Sequence, residues 1–288
     1  MLLSTLTLAL TACATPALPP PEPPKAPAAT VAPEPPPEPP PEPPSWPDEG
    51  APLTPPALQL PADFGVRSIF IDPGHGATNN PGNTSALCES EQDFTLAVAE
   101  HLSDALVATG AFTVTLSRED DARVDYWDRV HAAEAVGAEV FLSLHSDVRG
   151  QGTLWNPTPD QSCHRNDDNP GFTILWSDEV TEAQGDLDVR RHTLAGALAA
   201  RMIEAGFPAY DGSDYESLYT VDPERPGVFV DRHQPHQRIL VLRRPAMPSV
   251  IIETHHAWDP REVQRWREPA TLDAFAASVA AALVDALR

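Results

Sequence analysis

The sequence predicts an α/β domain: a mostly parallel twisted sheet of about six strands with helices on both faces. Three observations carry the prediction. Short apolar runs alternate with amphipathic helical stretches from residue 66 onward, the pattern of a parallel sheet covered on both sides. Several of those runs stop abruptly in glycine or in ionisable residues. The first 60 residues share neither feature, and hold 20 of the 34 prolines between positions 16 and 56.

The elements follow in order. Residues 66–72 read as the first strand, closed by the polar turn "DPGHG". Ser90 caps the next helix with Asp93 in capping-box position, and Phe94, Val98, Leu102 and Leu106 form one apolar stripe. Gly110 ends that helix. Residues 112–118 are a second strand, 124–136 a helix closed by Gly137, and 139–147 a third strand. A long irregular insertion rich in Gly, Asn, Asp and Pro occupies 148–171, with a short strand at 172–176. Residues 187–206 form a helix whose inner face is Val189, Leu194, Leu198 and Met202 or Ile203. Residues 207–237 read mostly as loop, 238–243 and 249–254 as strands, and 271–287 as a closing amphipathic helix.

The N-terminal 60 residues divide further. Residues 2–12 are apolar or small and too short to span a bilayer, so residues 1–12 suit a signal peptide. Leu10-Thr11-Ala12-Cys13 resembles the lipobox of bacterial lipoproteins, which implies lipidation of Cys13 and a membrane anchor there. Residues 13–60 then read as an extended proline-rich tether, and 61–288 as the folded domain. Of the 42 acids and 19 bases, 36 and 18 lie in 61–288, a balance of −18 within the whole-chain −23. Such a surface excludes nucleic acid as a partner. The expected location is exported and lipid-anchored, at the outer membrane facing the periplasm. Cys88 and Cys163 could pair as a disulfide in that oxidising compartment, or be two unrelated thiols.

Three strands deliver ionisable residues to their carboxyl ends: His75, His145 and Glu253. In a parallel sheet these ends share one edge, where ligands bind. Glu91, opening the first helix, faces the same edge because a right-handed crossover starts near its strand's end. Two histidines and a carboxylate are a common catalytic zinc set, and a second carboxylate can take a proton from water.

Five segments in order, "IFIDPGHG", "ESEQDFTLAVAEHLSDAL", "VTLSREDD", "VFLSLHSD" and "VLRRPAMPSVIIE", resemble the zinc-dependent N-acetylmuramoyl-L-alanine amidases of cell walls, over about residues 67–287. The resemblance implies one zinc ion per chain on His75, Glu91 and His145. It places Glu253 as the catalytic proton acceptor and peptidoglycan as the substrate, cut between N-acetylmuramic acid and L-alanine. Arg129 falls on an arginine that the family keeps. Asp72 either orients His75 or caps the turn, and Glu89 is the alternative ligand if the helix starts earlier. "THHAWDP" departs from the family: His255 and His256 stand for a glycine and a bulky apolar residue, and either touch substrate or metal, or repack the cleft. An activator protein is a partner that the sequence does not identify. The rival readings are a zinc amidohydrolase acting on another amide and a silent peptidoglycan-binding lipoprotein.

Overall fold

The computed structural model describes residues 44–77, 79–215 and 218–288. The expected signal segment 1–12, Cys13 and the tether up to residue 43 lie outside the described residues. Among the described residues there are nine strands: β1 (Arg67–Pro73), β2 (Phe112–Leu116), β3 (Val140–Asp147), β4 (Thr153–Trp155), β5 (Cys163–Arg165), β6 (Thr173–Trp176), β7 (Tyr219–Val221), β8 (Val228–Asp231) and β9 (Ser249–His256). The α-helices are α1 (Glu91–Ala108), α2 (Tyr126–Ala135), α3 (Leu187–Ala205), α4 (Leu240–Arg243), α5 (Pro260–Arg265) and α6 (Pro269–Ala286).

Seven strands form one sheet in the order β2-β1-β3-β9-β6-β8-β7. The first four run parallel, as expected for strands joined by helical crossovers. Alternate residues of each strand feed opposite cores. Ile69, Ile71, Leu142, Leu144, Val250 and Ile252 pack under α1, α3 and α6. Phe70, Phe141 and Ile251 pack under α2 and α4, against Ala133, Val241 and Leu242. Each such side chain contributes about 1.5–3 kcal/mol by leaving water.

Several expectations give way to the structure. The run 238–243 is not a strand: β9 is already flanked by β3 and β6, so no edge is free for it. Residues 240–243 instead turn once as α4, with the Ile239 N–H donating to Asp231 Oδ2 at 2.8 Å. A short apolar run without alternation fits either state. The segment 207–237 is not mostly loop, because it carries β7 and β8. The strand near 172–176 runs antiparallel to β9, reversing the sheet beyond it. The insertion 148–171 holds the hairpin β4–β5 rather than being irregular throughout. On α3, Val189 points to solvent, and Arg191 takes the buried position on the same face as Leu187, Leu194 and Leu198. Its guanidinium donates to the carbonyls of Ser177, Glu179, Arg243 and Pro245. Ser90 precedes α1 but its hydroxyl donates to Asp93 Oδ2 (2.6 Å) instead of accepting from the backbone.

The packed unit also begins earlier than residue 61. The described residues from 44 onward form one compact unit, in which Trp46, Leu53 and Leu58 pack against the larger core. The Trp46 indole donates to Glu262 Oε1 at 2.6 Å, Thr54 N–H to Ala205 O at 2.9 Å, and Arg265 Nη2 to Ala51 O at 2.9 Å.

Candidate metal centre

The first histidine sits in a turn that most residues avoid. β1 ends at Pro73, and Gly74 N–H still donates to Leu144 O of β3 at 2.9 Å. His75 then adopts φ +64°, in the left-handed region. For a residue with a Cβ this costs on the order of 1–2 kcal/mol, so surrounding contacts must hold it. Arg129, wholly buried, supplies them: Nη1 donates to Pro73 O (2.9 Å), Nη2 to His75 O and Nε to Val124 O (3.0 Å). Arg118 adds Nε to Pro73 O (3.0 Å) and Nη2 to Gly74 O (3.0 Å).

Asp72 makes the burial of Arg129 tolerable. Its Oδ1 accepts from Arg129 Nη1 (2.6 Å) and Ser117 Oγ (2.6 Å), and its Oδ2 from Ser143 Oγ (2.8 Å). Burial pushes the Asp72 carboxyl up, but the Arg129 charge and these hydrogen bonds outweigh it and hold the pKa below the usual range. Asp72 therefore anchors the turn through Arg129. The His75 ring meets Asn80 instead, with Nδ1 3.2 Å from Asn80 Oδ1.

The other two donors arrive from β3 and α1. His75 Nε2 lies 3.1 Å from Glu91 Oε2, and His145 Nδ1 2.9 Å from Glu91 Oε1. The imidazole rings stand edge to face with centroids 4.8 Å apart. One donor atom from each of the three residues lies within 4.8 Å of the others. Glu91 also accepts from Asn83 N (2.9 Å), Asn83 Nδ2 (2.8 Å) and Ser146 N (3.0 Å). Desolvation opposes its charge, yet the hydrogen bonds and charges of His145 and His75 pull its pKa far below the ordinary carboxylate value. Burial lowers the proton affinity of His75, but Glu91 more than reverses this.

Two glycines make room for the group. A Cβ on Gly74 would stand 2.5 Å from His145 Nε2, and one on Gly82 2.5 Å from Glu91 Oε2. Two imidazoles and a carboxylate, converging behind glycine clearances, fit a zinc ion by donor type and number. Glu89, the alternative ligand, pairs instead with Arg267 at 2.5 Å on the surface.

Glu253 neighbours this trio. It pairs with His145 across β3–β9 and with Thr173 across β9–β6. Its Oε2 is buried and has no hydrogen-bond partner among the described residues. Desolvation, then the charges of Asp147 and Glu91, push its carboxyl well above the usual range, with Arg149 opposing. Arg149 is itself buried. It donates to Asp147 Oδ2 (3.0 Å), Asn169 O (2.9 Å) and Thr173 Oγ1 (3.2 Å), and lies 3.9 Å over the Tyr210 ring. Tyr215 donates its hydroxyl to Asp147 Oδ2.

The departing pair His255–His256 is buried and does not join the three donors. His255 packs between Phe94 (4.8 Å, edge to face) and Trp266 (5.7 Å, stacked), and desolvation lowers its pKa to about 3. His256 is fully buried, and its backbone N–H donates to Glu262 Oε2 at 2.8 Å. Both fill the core beside β9 instead of joining the donor set. Cys88 and Cys163 are bonded to each other, with Cα atoms 5.6 Å apart. Sequence reasoning missed Asn80, Asn83, Ser146 and Arg118. Asn80 and Asn83 lie in the polar stretch "ATNNPGN", which marks a turn but not which amide reaches a ligand.

Comparison with known proteins shows the family of the chain. A family model described as N-acetylmuramoyl-L-alanine amidase matches residues 69–285. N-acetylmuramoyl-L-alanine amidase AmiA of Escherichia coli is 24% identical over 204 residues, which cover 69% of this chain and 68% of that protein. AmiC of Neisseria meningitidis serogroup B, also an N-acetylmuramoyl-L-alanine amidase, is 34% identical over 200 residues, covering 67% and 46%. Among solved structures, the amidase Ami1 of Mycobacterium smegmatis shares the fold with a TM-score of 0.59 at 17% identity, covering 78% of this chain and 99% of that one. With the family model spanning most of the folded unit, the chain belongs to the N-acetylmuramoyl-L-alanine amidase family of hydrolases.

Proposed function

We propose that this chain hydrolyses the amide between the lactyl group of N-acetylmuramic acid and the L-alanine of the peptidoglycan stem, using one zinc ion held by His75, Glu91 and His145. One observation carries the reading. Three donor atoms of zinc-binding type converge within 4.8 Å, and the adjacent strand presents a carboxylate oxygen with no partner among the described residues. Bound zinc supplies Lewis acidity to a carbonyl and to water.

The protein's own groups do the rest. Glu253, with its pKa raised by burial and by neighbouring acids, accepts the proton of the attacking water and returns it to the leaving amine. The Arg149–Asp147–Tyr215 network fixes the floor beside it. The Asp72–Arg129 pair keeps the His75 turn in place during turnover. Lipidation at Cys13 and a tether to residue 43 anchor the enzyme at the outer membrane, facing the wall.

The test incubates the full chain with purified peptidoglycan, with and without a chelator, and reads products by mass spectrometry. Stem peptides with a free L-alanine terminus and glycans with intact lactyl groups are expected, and the chelator abolishes them. New reducing sugar ends, or no products from zinc-loaded protein, would overturn the reading. Glu253→Gln retains zinc and loses turnover. Loss of zinc in that variant would remove Glu253 from its assigned role.

A further inference from the structure

Asn83 clasps Glu91 from two sides. Its backbone N–H and its Nδ2 both donate to Glu91 Oε2, at 2.9 and 2.8 Å, and its carbonyl accepts from Glu91 N–H at 3.0 Å. The same Nδ2 donates to Ser146 O (2.7 Å), and Ser146 N–H holds the other carboxylate oxygen, Oε1, at 3.0 Å. Asn83 therefore links the carboxylate of one expected ligand to the strand that carries another, His145. Ser146 N–H makes one link to the carboxylate directly from β3; Asn83 makes the other, from the loop between the His75 turn and α1.

A loop alone would hold such a geometry poorly, and this one is braced from outside. Cys88 is bonded to Cys163 on β5. Trp155, on β4, donates its indole N–H to Ala86 O at 2.8 Å. Trp258 donates to Thr84 O at 3.2 Å, and Ala86 N–H donates to Ala257 O at 2.7 Å. The hairpin is in turn fastened to Trp258, on which His164 stacks at 5.1 Å. Three-residue strands are too short to stand as an isolated hairpin in water. Each brace lands on residues 84–88, immediately after Asn83.

We propose that Asn83 is a positioning residue for the metal ligand Glu91, and that the hairpin β4–β5, stapled by Cys88–Cys163, is a strut that sets metal affinity through it. The inference rests on the zinc reading above. Groups that orient a metal ligand are worth about 10–100-fold in affinity. The hairpin thus acts on the chemistry without supplying a ligand.

The experiment measures zinc affinity of the full chain by competition with a chromophoric chelator, and the visible spectrum of the cobalt(II)-substituted protein. Asn83→Ala weakens zinc by about 10–100-fold and shifts the cobalt bands, because the carboxylate changes its approach. Cys88→Ser/Cys163→Ser weakens zinc less, in the same direction, and adds nothing to Asn83→Ala because it acts through the same residue. Trp155→Phe, which keeps the ring and removes the bond to Ala86, repeats this without touching the cysteines. Wild-type protein that takes up no zinc would overturn the zinc reading and this inference together. Wild-type protein that binds zinc, with Asn83→Ala within twofold of it and an unchanged cobalt spectrum, would overturn this inference alone. Equal effects of the hairpin variants with and without Asn83 would overturn the route through Asn83.

Discussion

Replacing Arg129 by methionine tests whether the His75 turn depends on a buried charge pair. Arg129 and Asp72 are both essentially inaccessible to water, and the guanidinium also holds the carbonyls of Pro73, His75 and Val124. Methionine fills much of the same volume but strands the Asp72 carboxylate with two serine hydroxyls. Removing one partner of a buried pair costs about 3–5 kcal/mol. At about 2–4 °C per kcal/mol for a domain of this size, the melting temperature falls by roughly 6–20 °C. The pH dependence has a definite sign. Asp72 has a lowered pKa in the native protein, so its stabilisation is present above the ordinary value of 3.8 and is lost as pH falls through the folded value. Without Arg129, burial dominates and the carboxyl pKa rises, so acidification narrows the gap between variant and wild type. Urea unfolding at several pH values measures this. Asp72→Asn/Arg129→Met recovers part of the loss, because no charge remains stranded. A single variant within about 1 kcal/mol of wild type, or a double variant no more stable than the single one, would refute the reasoning.

Three further outcomes are expected. Gly74→Ala drives its Cβ against His145 Nε2 and Leu144 O, so bound zinc measured by atomic emission falls well below one per chain; full occupancy contradicts the clearance argument. Trp46→Ala removes the bond to Glu262 and the edge-to-face contact with Phe207 (5.3 Å), and destabilises by roughly 3 kcal/mol in thermal unfolding; no change would detach residues 44–60 from the folded unit. Glu262 is pushed up to about 7, chiefly by desolvation, so the folded state holds a proton that the unfolded state has lost. Stability therefore declines as pH rises from about 4.5 to about 7, and Glu262→Gln flattens that decline; an unchanged slope between the two proteins falsifies the assignment.

The convergence of His75, Glu91 and His145 was legible because each sits where an element begins or ends. Strand ends and a helix start are the features that hydrophobic patterning marks best. The place of Glu253 beside His145 was legible for the same reason, on the last apolar run. The direction of β6 was not, since four apolar residues carry no arrow, and its antiparallel pairing with β9 is settled by which sheet edge remains open. β7 and β8 are three and four residues long, too short for a periodic signal among polar neighbours. Proline content hid the belt at 44–60, whose few anchors, Trp46, Leu53 and Leu58, are spread among residues that bury little. Asn83 was invisible because its role comes from what the folded chain brings to it, and nothing local distinguishes it from Asn79 or Asn80.

The left-handed His75 has a consequence for anyone moving this centre to another scaffold. Copying the three ligands onto two strands and a helix would transfer the donor atoms but not the conformation that aims the first of them. That conformation is maintained from behind, by a guanidinium that reads three carbonyls and a carboxylate that neutralises it. The smallest transplantable unit is therefore six side chains and two glycines: His75, Glu91, His145, Asp72, Arg129 and Asn83, with Gly74 and Gly82.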